Sequence, residues 1–128
     1  MNRRSIWRWV PAIADAALIF ILSAQPNLHL AAEPDLDFIL HKVAHLIVYA
    51  VLGWLVARAI DGPTRSPRFL VAATLLLCVA YAATDELHQS FVPGRGPSPR
   101  DVVIDAAGAS LGLLGYRLTR RAGVDSGA

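Results

Sequence analysis

Four apolar stretches edged by arginine constrain this chain more than any other feature. They run over residues 6–23, 43–60, 69–84 and 102–119, each close to the roughly 20 residues an α-helix needs to cross a bilayer core. An apolar fraction of 55% and a mean hydropathy of +0.45 exceed what a soluble domain of 128 residues uses. The fold predicted is an all-α membrane protein: a bundle of four transmembrane helices with an irregular outer loop. One domain spans 1–128, with its core at about 6–119 and a cytoplasmic tail at 120–128. The third stretch is short, since its 16 residues rise only about 24 Å against a core of roughly 30 Å. Asp85 and Glu86, just beyond it, are therefore expected in thinned membrane or in a wet cavity.

Basic residues orient the bundle. With the amino terminus inside, the inner face collects Arg3, Arg4, Arg8, Arg58, Arg65, Arg68, Arg117, Arg120 and Arg121, and the outer face only Lys42, Arg95 and Arg100. That bias predicts a multi-pass membrane protein with both termini cytoplasmic. The outer face then receives His29, His41, His45 and His88 together with six carboxylates, so any chemistry belongs there. A net charge of +2 and a pI near 9.1 do not imply nucleic acid, because the arginines sit at helix ends and form no basic stripe. Anionic headgroups of the inner leaflet suit them better. Cys78 stands alone in an apolar run, which excludes an internal disulfide and suits a small buried hydrophobe. Arg3 and Arg4 before an apolar run mimic a secretory signal, but Asp15 interrupts the run and three more stretches follow, so the first helix is expected to stay.

Along the chain, Trp7 and Trp9 flank Arg8 as an interfacial anchor, and Asp15 must point at another helix. An outer loop covers 27–40. The second helix is expected to start near Asp37 as its N-cap, placing His41, His45 and Tyr49 at spacings of four on one face, with Lys42 beside them. Asp61-Gly62-Pro63 and Ser66-Pro67 form an inner turn. Residues 91–100 read FVPGRGPSPR, whose prolines and glycines exclude a helix, and which should fold over the outer mouth. In the fourth stretch Asp101 and Asp105 lie one turn apart. Gly108 and Gly112 permit close helix contact, within the chain or in an oligomer.

Lys42-x-x-His45-x-x-x-Tyr49-x-x-Leu52, then Asp85-Glu86-x-His88-Gln89-x-Phe91-x-Pro93-Gly94-Arg95, then Ser98-x-x-Asp101 before a glycine-rich helix, resembles the VanZ-like family of small bacterial membrane proteins. That family takes its name from an accessory teicoplanin (glycopeptide) resistance protein. The resemblance runs from Ser23-x-Gln25-Pro26 to Gly112. It implies a cell-envelope role and a link to glycopeptide resistance, but no reaction. The chain departs from the family pattern at His41, where an Asp commonly precedes the lysine, and at Asp105, where an Asn is common.

Joining the outer helix ends gathers the candidate site. As catalytic residues, His45 would be a general base whose tautomer Glu86 or Asp101 fixes. As ligand-binding residues, Lys42, Tyr49, Gln89, Arg95, Ser98, Asp101 and Asp105 would surround a membrane lipid or lipid-linked anionic ligand, with Arg95 holding phosphate bidentately. Glu86 with Arg95, and Asp101 with Lys42 or Arg100, are equally readable as ion pairs that hold the loop. His45, His88 and a carboxylate would suit zinc, but no short-range ligand signature is present, so no metal and no cofactor are predicted. Recognition of the ligand ranks first, and a membrane-embedded hydrolase or transferase second.

Overall fold

The computed structural model describes residues 3–26, 28–96 and 98–125, among which every regular element is helical. These are α1 (Arg3–Ser23), α2 (Pro34–Ile60), α3 (Pro67–Gln89) and α4 (Pro99–Asp125). Three are long and apolar enough to cross a membrane, over Ser5–Ser23, Pro34–Ile60 and Pro67–Gln89. The fourth falls short of that standard because Asp105, Arg117 and three glycines, Gly108, Gly112 and Gly115, dilute its apolar stretch.

Helix ends differ from the sequence reading in instructive ways. α2 starts at Pro34, with Glu33 in the capping position, so the second half of the expected 27–40 loop is helix; Asn27 lies outside the described residues. A proline is tolerated in a first turn because its missing N–H would have had no helical partner. Asp37 therefore caps no helix; its carboxylate turns back to accept the N–H groups of Leu30 and Ala31, the latter at 2.9 Å. α3 continues to Gln89, and its 23 residues rise about 34 Å. The third helix is thus long enough, and Asp85 and Glu86 belong to its final turns, buried at 3% and 5% exposure. At its start Ser66 Oγ accepts the Phe69 N–H at 3.1 Å. Pro99 and Arg100 lie in the first turn of α4, which shortens the irregular loop to 90–98. Within that loop Gly94 adopts φ 80°, a left-handed conformation open to glycine, and Arg95 N–H closes the turn on the Val92 carbonyl. Residues 120–125, expected as tail, continue the helix.

α2 and α4 form the most extensive contact, and glycine is the reason. A Cβ added at Gly53 would lie 2.3 Å from the Ala109 carbonyl oxygen, one at Gly108 2.4 Å from that of Leu46, and one at Gly112 1.8 Å from that of Ala50. Backbone meets backbone, the way small residues let apolar helices associate. Gly108 and Gly112 are thus taken up by α2 of the same chain, and an oligomer would need another face. The core around Tyr49, Leu52, Ala57, Cys78, Ala82 and Ala109 is thin. Outward, Ile13, Leu76, Leu87, Val103 and Leu118 are all exposed, a distribution that fits a membrane protein better than a soluble one.

At one end the arginines do structural work. Asp61 is buried, and its carboxylate accepts Tyr116 Oη at 2.8 Å and Arg120 Nη1 at 2.9 Å. Arg8 of α1 donates to the Asp61 carbonyl at 2.8 Å and to the Arg58 carbonyl, which ties three helices together. The opposite end carries the histidines.

Candidate functional site

At the histidine end the start of α2, the end of α3 and the start of α4 converge beneath the loops 24–33 and 90–98. Between them lies a polar vestibule of about 420 Å³, walled by His41, Lys42, His45, Gln89, Arg95 and Asp101 among others. Adjoining it is an apolar slot of about 170 Å³, lined by Ile19 and Leu22 of α1, Leu28 and Leu30 of the first loop, and Ala44 and Val48 of α2. Leu28, His41, His45 and Arg95 belong to both walls.

The pairings are specific. Lys42 Nζ bonds Asp101 Oδ1, one of the two partners the sequence offered for that carboxylate. His45 Nδ1 lies 2.9 Å from Asp105 Oδ1, so the carboxylate that orients the imidazole is Asp105, not Glu86 or Asp101. This follows from the α2–α4 glycine contact, which brings those two helices closest one turn away. Glu86 does not pair with Arg95; its Oε2 accepts the Ser98 N–H at 2.7 Å and anchors the 90–98 loop to α3. Arg95 donates only a long 3.5 Å bond to the Ser23 carbonyl and has no carboxylate partner among the described residues. Gln89 Nε2 reaches Asp85 Oδ2 at 3.3 Å, and Ser23 Oγ donates to Asp85 Oδ1 at 2.5 Å.

The residues singled out in the sequence therefore divide. Lys42, His45, Gln89, Arg95 and Asp101 face the vestibule. Tyr49 and Asp105 stand behind His45: the Tyr49 ring stacks on the imidazole at 6.5 Å between centroids, and neither Tyr49 Oη nor Asp105 Oδ2 finds a partner though both are buried. Glu86 and Ser98 hold the roof. His88 lies apart, stacked on Phe20 at 4.3 Å. Among the described residues no three His, Cys, Asp or Glu side chains are grouped to hold a metal ion. Sequence reasoning passed over Ser23 and Asp85 as a pair, and over Asp37 as the latch of the first loop, which also meets His29 Nδ1 at 3.3 Å. Only the Ser23-x-Gln25-Pro26 stretch hinted at the first.

Histidines, carboxylates and buried unpaired polar atoms at one end of an apolar helical bundle, with most arginines at the other, fit a small membrane protein with a polar cleft at its histidine end. The model of the VanZ/LLP1 family matches residues 4–120, and the chain belongs to that family. No curated protein and no solved structure matches it significantly.

Proposed function

We propose that this is a multi-pass protein of the bacterial inner membrane, with both termini cytoplasmic, that recognises an anionic lipid-linked or cell-wall ligand at its outer face. One observation carries the reading: a polar vestibule and an apolar slot adjoin, with Arg95 in the wall of both and paired with no carboxylate among the described residues. Lys42 and Asp101 neutralise each other, so Arg95 supplies the uncommitted charge for a phosphate or carboxylate head. Leu28, Leu30 and Val48 would hold the first part of its apolar chain. The topology is supported by the arginine bias between the two ends.

The test is the lipid retained after purification in mild detergent. Wild-type protein should carry an amphiphile with an anionic head, and Arg95→Ala should lose it at least tenfold while still accumulating in membranes. An unchanged lipid profile in Arg95→Ala would sink the reading. Reduced sensitivity to teicoplanin is the physiological consequence that family kinship suggests; expression in a sensitive host, with Arg95→Ala as the control, decides it.

A second reading, a membrane-embedded hydrolase or transferase acting on the same ligand, draws on the His45–Asp105 pair. A carboxylate on Nδ1 leaves Nε2 as the base. Under catalysis His45→Ala abolishes product formation yet keeps the ligand; under recognition alone no turnover occurs in any variant.

A further inference from the structure

The opposite end holds an open groove of about 460 Å³ between the start of α3 and the end of α4. Its walls are Arg117, Arg120 and Arg121, and its floor is Pro67, Leu70 and Val124. Arg120 is held in place by Asp61, whereas Arg117 and Arg121 have no carboxylate partner among the described side chains, of which that of Asp125 is not one. Two uncommitted guanidiniums and one fixed guanidinium around an apolar floor make a site for a phosphate group that arrives with hydrocarbon attached. Guanidinium forks match phosphate oxygens bidentately.

We infer that this groove binds the headgroup of an anionic phospholipid at the face opposite the proposed ligand site. Lipid is favoured over free phosphate by what continues from the groove. Residues 114, 117, 121 and 124 share one stripe of α4 by their spacing, and Leu114, one turn inward from Arg117, is 51% exposed. A phosphate seated on Arg117 and Arg121 lays its acyl chain over Leu114, whereas inorganic phosphate leaves the apolar floor uncovered. Basic pockets between helices on the cytoplasmic side are where such headgroups are held. The consequence is a fixed lipid that braces α3 against α4, two helices that share no side-chain hydrogen bond at this end among the described residues.

The full chain, delipidated in mild detergent, is titrated with short-chain phosphatidylglycerol, short-chain phosphatidylcholine and inorganic phosphate, with binding read by native mass spectrometry. With the vestibule silenced by Arg95→Ala, the protein should prefer phosphatidylglycerol to phosphatidylcholine at least tenfold, and adding Arg117→Gln with Arg121→Gln should remove that preference; the common background separates this site from the vestibule. Equal binding of the two lipids, or a preference that survives the double substitution, overturns the inference. Phosphate competing as well as phosphatidylglycerol overturns the assignment to lipid. Should the double variant fail to accumulate, Arg121→Gln alone carries the test: Arg121 is exposed, and at least a threefold drop is expected, none being the contrary result.

Discussion

The two ends of the bundle treat buried charge in opposite ways. At the arginine end Asp61 is fully engaged: both carboxylate oxygens are bonded, and its carbonyl accepts Arg8. At the histidine end Asp105 Oδ2, Glu86 Oε1 and Tyr49 Oη are buried without partners, and Arg95 has only one long bond. A satisfied network holds helices together; a partly satisfied one costs stability and persists where something else uses it. The contrast marks one end as bracing and leaves at the other the unsatisfied groups on which the proposed recognition draws.

Both ends hang on the α2–α4 contact, so the comparison breaks first there. Gly112→Val would drive a side chain into the Ala50 carbonyl, and a loss of more than about 3 kcal/mol is expected, seen as failure to accumulate or as a collapsed thermal midpoint in detergent. Asp61→Ala comes next: it strands Tyr116 and Arg120 and should cost about 3 kcal/mol, with no effect on ligand retention in whatever folds. Arg95→Ala should reverse that pattern, weakening ligand retention by at least tenfold at an unchanged thermal midpoint. Asp105→Asn sharpens the contrast most. It removes a buried charge yet keeps an acceptor for His45, so stability should move by less than about 1 kcal/mol or rise, while turnover, if it exists, falls. A large drop in its midpoint would make the histidine end as structural as the other. Glu86→Gln should have the smallest effect, since an amide oxygen still accepts the Ser98 N–H.

Much of the bundle was legible because apolar length and arginine placement are local properties of the chain. The four helices, the one-face spacing of His41, His45 and Tyr49, the inner turn and the irregular loop before α4 all follow from periodicity, proline and glycine. Helix ends were less legible. Pro34 and Pro99 read as breakers although each sits in a first turn, and the third stretch read as ending at Thr84 because polar residues follow, although α3 runs on to Gln89 and buries Asp85, Glu86 and Gln89.

Which charges meet was not legible at all. The sequence offered Glu86 or Asp101 as the partner of His45, and only the depth at which α4 docks on α2 selects Asp105 instead. The same docking consumes Gly108 and Gly112 inside the chain, and the fold leaves the Arg95 guanidinium without a carboxylate among the described residues. Sequence determined that histidines and carboxylates would collect at one end of an apolar bundle and most arginines at the other, because the order of charged and apolar residues along each helix is local to the chain. Tertiary structure decided which of them are neutralised and which stay available, because a hydrogen bond or ion pair depends on a separation of a few ångströms between helices that no single segment encodes.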